Sequence, residues 1–158
     1  MALPFVAFLL HAAVQQVVFF RVILKTAAEG LGNRGVTASR AALGAVPVAV
    51  LLFVLMHELS SALRVFDIAV AGTIYGLLYL QTGELALGIG AHFGALYGGT
   101  VLFAVVEVSG SLSGILGTVD QYGFPKMVIA YLAIAAWVTW RRGDLSIQPG
   151  IARRAVDR

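Results

Sequence analysis

Long apolar runs separated by short polar segments make up most of this chain. Two of them, residues 3–24 and 85–106, reach the length of roughly 20 residues that a helix needs to cross a bilayer. Three shorter runs, residues 41–56, 68–80 and 127–140, can cross if they tilt or borrow flanking residues. The pattern therefore predicts an all-α membrane helix bundle of about five transmembrane helices.

Two polar stretches flank the last predicted helix. The segment VSGSLSGILGTVDQYGFPK, residues 108–126, has the Gly and Ser content of a loop, and residues 143–158 form a polar tail. A single transmembrane domain over residues 1–142 accounts for the rest of the chain. Its first apolar run lacks a basic leader and a small-residue cleavage site, so we expect this run to be retained as a helix.

The basic residues are distributed asymmetrically between the two sides of this bundle. The first predicted loop contains Lys25, Arg34 and Arg40, whereas the two loops on the other side contribute Arg64 and Lys126. The C-terminal region carries five more basic residues: Arg141, Arg142, Arg153, Arg154 and Arg158. Because Lys and Arg accumulate in cytoplasmic loops, the N-terminus is predicted outside and the C-terminus inside.

The composition supports the membrane assignment and indicates which classes of partner to expect. Hydrophobic residues make up 59% of the chain and charged residues 12%, which is far from the balance of a soluble domain. We expect a multi-pass integral protein of a prokaryotic cell membrane. The net charge of +3 suits contact with anionic lipid headgroups, and we do not expect nucleic acid as a partner. The chain has no cysteine, which excludes disulfides and thiolate sites.

Several polar side chains lie within the predicted spans, where they are costly unless they face the bundle interior. His11 and Gln15 lie one helical turn apart on the first span, and Gln16 follows directly. His57 ends the second span and His92 lies within the fourth. A single such residue would indicate a hydrogen bond between helices. Histidines on three spans indicate a shared pocket.

The pair His57 and Glu58 begins a possible HExxH zinc motif, in which a second histidine lies one turn after the first. Ser61 occupies the position of that second histidine, so the motif is incomplete. We therefore expect no metal ion, and nothing in the sequence indicates another cofactor. Serine catalysis lacks support as well, because no nucleophile-elbow pattern occurs.

Three sequence blocks resemble the CPBP or Abi family, which contains CAAX prenyl endopeptidases and bacteriocin-processing membrane proteins. The family motif FxxxH is matched by FVLMH, which ends at His57, and the later histidine motif by IGAHFGAL, which contains His92. Between them, AGTIYGLLYLQTGELALGIGAH is similar to the family's helix, Thr-Gly turn and helix. The resemblance covers about residues 5–106.

The first family motif, EExxxR, is altered in this chain. If Gln15 and Gln16 align with the two glutamates, Arg21 arrives one residue late, and a π-bulge would be needed to restore its direction. If Arg21 is aligned instead, the pair becomes Gln16 and Val17. Neither register contains a carboxylate.

The resemblance implies a mechanism in which a motif glutamate activates water for attack on a peptide carbonyl, while histidines stabilise the oxyanion. Glutamine cannot accept that proton, and loss of a general base typically costs ~10² to 10⁴ in rate. His57 and His92 can keep electrostatic roles. Glu58 is the nearest substitute base along the sequence, although adjacent helical residues point about 100° apart. His11 is the alternative base if it is neutral.

Three functions remain open from the sequence. The first is a divergent family enzyme that acts on a hydrophobic or prenylated peptide, or on an isoprenoid-like substrate, and uses the histidine and glutamine pocket. The second is an inactive descendant that binds a hydrophobic peptide, a lipid or a membrane protein. The third is a small transporter, for which the sequence offers neither repeat symmetry nor a pair of broken helices. Membrane lipids are expected partners in each case.

Overall fold

The computed structural model describes residues 2–97 and 123–148, most of which fold into helices. The first helix is continuous and has three parts: α1 (Ala2–Gln15), a π-helical segment (Gln16–Ile23) and α2 (Leu24–Gly32). Four further helices follow: α3 (Ala38–Leu55), α4 (Ala62–Thr82), α5 (Leu85–Tyr97) and α6 (Gly123–Arg142). The prediction of an all-α bundle is confirmed.

Three of these helices are long and apolar enough to cross a membrane: Leu3–Gly32, Ala38–Leu55 and Ala62–Thr82. Helix α5, Leu85–Tyr97, is apolar but shorter. The remainder of the predicted fourth span, residues 98–106, lies outside the described residues, as does most of the predicted Gly/Ser loop. The orientation of the termini stays a prediction.

The observed helices extend further into polar sequence than the apolar runs indicated. The first helix continues to Gly32, so Lys25 is not in a loop and instead forms an ion pair with Glu29 at 3.6 Å. Helix α4 begins at Ala62 and α6 at Gly123, whereas the apolar runs begin at residues 68 and 127. The shorter runs are thus extended by flanking residues, which is one of the ways in which they were expected to reach the length of a span.

The π-helical segment keeps one face of the first helix turned towards the core. Along the first helix, buried residues recur at intervals of four, before, within and after this segment: Ala12, Gln16, Phe20, Leu24 and Ala28. An α-helix turns about 100° per residue, so that a four-residue step drifts by roughly 40°. A π-helix has more residues per turn, which offsets this drift. The buried face therefore stays aligned over four turns.

Close approach of α4 to its neighbours depends on two glycines. A Cβ atom at Gly72 would lie 3.0 Å from Cδ1 of Phe53 on α3, and a Cβ atom at Gly76 would lie 3.3 Å from Cγ1 of Val46. Small residues let membrane helices pack tightly, and van der Waals contact then replaces the hydrophobic effect as the driving force. The largest fully buried apolar side chains of the described residues belong to the core that these helices share: Phe20, Phe53, Tyr75, Leu24, Leu78 and Leu80.

The turn between α4 and α5 confirms the predicted helix, Thr-Gly turn and helix. Gly83 ends α4 with a φ of 75°, a left-handed conformation that glycine adopts without steric cost. The hydroxyl of Thr82 donates to the carbonyl of Leu78 at 2.6 Å and accepts from the backbone N–H of Glu84 at 3.2 Å. This turn makes α4 and α5 an antiparallel pair.

The segment after α6 folds back onto that turn. Arg142 donates to the carbonyl oxygens of Gln81 and Thr82, and its guanidinium lies 3.3 Å from a carboxylate oxygen of Glu84. The backbone N–H of Gln148 donates to the carbonyl of Leu80 at 2.9 Å. The first residues of the predicted polar tail, 143–148, are thus bound to the bundle, and residues 149–158 lie outside the described part.

Candidate functional site

Two of the three histidines meet where α1 packs against α5. His92 is buried, at 5% exposure, and its ring centroid lies 6.1 Å from that of His11, with the rings at 70° to one another. His11 itself is exposed. The packing of α1 against α5 therefore brings together a buried and an exposed imidazole from distant parts of the sequence.

Gln16 lies on the same side of the first helix and is fully buried. Its amide packs over Gly88, which precedes His92 by one turn of α5: a Cβ atom at Gly88 would lie 2.5 Å from Oε1 of Gln16. The close packing of this amide explains why the position holds glycine. Gln15 is partly buried on the adjacent face of α1.

Four buried polar atoms in this region have no hydrogen-bond partner among the described residues: Oε1 of Gln15, Oε1 and Nε2 of Gln16, and Nδ1 of His92. We call Gln15, Gln16 and His92 the polar cluster. Buried polar groups are normally hydrogen-bonded, and leaving them without a partner is costly. The polar cluster is therefore suited to hold a small polar group, such as a water molecule or a carbonyl.

His57 approaches from the end of α3. Its Nδ1 lies 2.6 Å from the backbone carbonyl of Phe53, and since a carbonyl can only accept, Nδ1–H is the donor. Phe53 joins the two motif histidines, because its ring centroid lies 4.5 Å from that of His57 and 5.9 Å from that of His92.

Two predicted site residues lie apart from the polar cluster. Arg21 belongs to the π-helical segment that the altered motif required, yet its side chain is exposed, and Phe20 occupies the buried position one turn after Gln16. Glu58 is exposed in the connection between α3 and α4. The structure thus brings His11 and His92 together, places Gln16 one turn from His92 on the α5 contact, and connects His57 to His92 only through the Phe53 ring. Gln15 is partly buried beside Gln16, whereas Arg21 and Glu58 are exposed.

Two further residues contribute to this site. The ring of Tyr75 stacks on that of His92 with centroids 4.9 Å apart and planes 25° apart. Gly88 makes its close contact with the Gln16 amide. The signal for Gly88 in the sequence is its four-residue spacing from His92, whereas nothing in the sequence pairs Tyr75 with that histidine. Asp67, on α4, is a further buried carboxylate.

The site residues are hydrogen-bond donors and acceptors, and none of them is a carboxylate. Two amides and three imidazoles can position water or a carbonyl and can exchange a proton at histidine. Within residues 2–97 and 123–148, no group of three or more His, Cys, Asp or Glu side chains is arranged to hold a metal ion.

A family model matches this chain, in agreement with the resemblance that the sequence motifs indicated. The family model for type II CAAX prenyl endopeptidase Rce1-like proteins matches residues 1–98, which include the first helix, both motif histidines and the α4–α5 turn. No curated protein sequence and no solved structure matches the chain. The family match covers more than half of the chain and includes the polar cluster. The chain therefore belongs to the type II CAAX prenyl endopeptidase Rce1-like family.

Proposed function

We propose that this chain is a divergent intramembrane hydrolase that acts on a hydrophobic or prenylated peptide and uses a histidine as the general base. Family membership and the apolar helices make it an integral membrane protein of the protease-like class. The substrate and the base are the parts that we infer. A peptide with a lipid or apolar segment is the substrate class that a site between membrane helices would receive.

The hydrogen bond of His57 carries this proposal. Because Nδ1–H donates to the carbonyl of Phe53, the neutral ring has its lone pair on Nε2. A histidine held in one tautomer by a carbonyl partner has the arrangement that a general base needs. His57 therefore supplies what the amides of Gln15 and Gln16 cannot.

In the proposed reaction, Nε2 of His57 takes a proton from a water molecule as the water oxygen attacks the peptide carbonyl carbon. Hydrogen bonds from the Gln16 amide and from His92 stabilise the resulting oxyanion. The carbon–nitrogen bond then breaks, and the imidazolium returns its proton to the leaving amine. Gln16 and His92 suit this role because their buried polar atoms have no partner among the described residues.

A second candidate is a protein that binds the same peptide without cleaving it. The observation that favours it is the chemistry of the cluster itself, because amides replace the acidic pair and the nearby Glu58 is exposed. In that case Gln16 and His92 hold a substrate carbonyl, and no group removes a proton from water.

Hydrolysis of a panel of prenylated and hydrophobic peptides by the purified protein in lipid micelles tests the proposal. The His57→Ala and His92→Ala variants should abolish cleavage, since one removes the base and the other an oxyanion donor. Glu58→Gln is the matched control, because it changes the residue next to His57 but alters an exposed side chain. Its rate should equal that of the native protein.

A Gln15→Glu/Gln16→Glu variant distinguishes the two candidates. Turnover in the native protein that depends on His57 supports the hydrolase. A silent native protein that binds peptide and gains turnover in the double glutamate variant rejects the hydrolase and supports binding alone. Native turnover that survives His57→Ala rejects His57 as the base and directs attention to His11.

A further inference from the structure

Tyr75 is the largest fully buried side chain in the described part of the chain, at 1% exposure. Its ring lies nearly parallel to the imidazole of His92, with an angle of 25° and a centroid distance of 4.9 Å. The rings of His11 and Phe53 approach the same imidazole edge-on, at 70° and 74°. Of these three rings, the phenol of Tyr75 alone stacks face to face on the His92 imidazole.

Tyr75 is itself held in place from two directions. Its hydroxyl donates to Sδ of Met127 on α6 at 3.6 Å, a weak hydrogen bond to a thioether. Phe20 and Phe53 contact its ring with centroids 5.8 Å and 6.0 Å away. Edge-to-face contacts of this kind restrict the direction in which an aromatic ring can face.

Among residues 2–97 and 123–148, no hydrogen bond to Nδ1 restrains the His92 ring in this way. Its Nδ1 is buried and lacks a hydrogen-bond partner among the described residues, in contrast to Nδ1 of His57, which donates to a backbone carbonyl. A histidine without that bond needs another means of fixing its ring plane. The stack on Tyr75 supplies one.

We propose that Tyr75 is a positioning residue, whose ring face fixes the plane of the His92 imidazole and so sets the direction of its buried Nδ1 atom. Tyr75 does not contact the substrate in this arrangement. The orientation of His92 follows from the described contacts alone, whereas its consequence for turnover rests on the proposed hydrolase.

NMR of the protein in micelles with ¹³C-labelled histidine tests the orientation without any assay of activity. A ring that stacks on an aromatic face is shielded by it, and the His92→Gln variant assigns the signal. Tyr75→Phe keeps the ring face and should leave the His92 resonance in place. Tyr75→Leu removes the face and should shift that resonance downfield. Tyr79→Leu, one turn further along α4, is the control and should leave it unchanged.

Turnover supplies the second readout. If the hydrolase proposal holds, Tyr75→Leu should lower kcat by roughly ten- to a hundredfold with little change in KM, because a misaligned catalytic group costs rate rather than binding. Tyr75→Phe should restore most of the loss. A silent native enzyme would reject the hydrolase, and the NMR result would still decide the role of Tyr75.

Two results would overturn the positioning role. One is a His92 resonance that stays in place in folded Tyr75→Leu, and the other is an equal shift in Tyr79→Leu. If circular dichroism shows that Tyr75→Leu does not fold, the His92 resonance in Tyr75→Phe tests the positioning role by itself. That variant keeps the ring face and loses the hydroxyl, so a displaced His92 resonance would show that the Met127 bond, and not the ring face, sets the imidazole.

Discussion

Gly88 offers a direct test of how the Gln16 amide is packed. Alanine at this position would place its Cβ 2.5 Å from Oε1 and 3.1 Å from Cδ of Gln16. Gln16 is fully buried, so its amide can make room only by moving against packed neighbours. Forcing an extra methyl group into a packed interior typically costs about 1–3 kcal/mol. Gly→Ala in a helix otherwise gains about 1 kcal/mol.

Gly90→Ala is the matched control, because it lies on the same helix and a Cβ atom there would meet nothing within 4 Å. Both variants gain the same helix propensity, so their difference isolates the contact with Gln16. We expect Gly88→Ala to be less stable than Gly90→Ala by about 1–3 kcal/mol. Reversible unfolding by SDS in mixed micelles, followed by circular dichroism, measures this difference.

The double variant Gly88→Ala/Gln16→Ala identifies the cause. Removing the amide should recover most of the loss, and the two changes should therefore be non-additive, as expected for residues in direct contact. Equal stability of Gly88→Ala and Gly90→Ala would refute the packing described here. So would a Gly88→Ala defect that persists when Gln16 is shortened, since the strain would then arise elsewhere.

Three further predictions concern the contacts of α4. Gly72→Ala should destabilise the bundle, because its Cβ would lie 3.0 Å from the buried ring of Phe53, and recovery in a Phe53→Leu background during SDS unfolding would confirm that cause. Arg142→Gln should cost less than about 1 kcal/mol, since its pair with Glu84 is largely exposed, and a larger loss would mean that its bonds to the α4 carbonyls dominate. Tyr131→Phe removes the hydrogen bond that the Gln81 amide on α4 donates to the Tyr131 hydroxyl at 3.0 Å. The variant should be less stable by about 0.6 kcal/mol, the average for hydrogen bonds between membrane helices, and an unchanged SDS unfolding midpoint would contradict this.

The helices were predictable because run length and hydropathy are local properties of the sequence. The α4–α5 turn was predictable for the same reason, as Thr82 and Gly83 determine its backbone directly. The helix ends could not be predicted from the apolar runs, because polar residues at the membrane interface can continue a helix beyond its apolar run. The π-helical segment was foreseen only as a condition for aligning Arg21, and the packing of the first helix against its neighbours fixes where it lies.

Spacing predicted a polar stripe on the first helix but not its burial. His11 and Gln15 share a helix face in the sequence, yet the most deeply buried polar residue is Gln16, and His11 is exposed. Which face is covered depends on where α5 lies, and Gly88 determines how closely it approaches. The stack of Tyr75 on His92 likewise exists only because the turn at Gly83 brings α5 back along α4.

The burial of Gln16 determines what kind of side chain this position can hold. A carboxylate at this fully buried position would require a nearby positive charge or a bound proton, because burial of an unpaired charge is prohibitive. His92, one turn after Gly88 on α5, could supply that charge only by binding a proton, and it would then lose an acceptor. The neutral amide removes this requirement, which agrees with the exposure of the Arg21 side chain. The polar cluster therefore contains buried hydrogen-bonding groups without a carboxylate, so that in the proposed hydrolase proton transfer falls to a histidine.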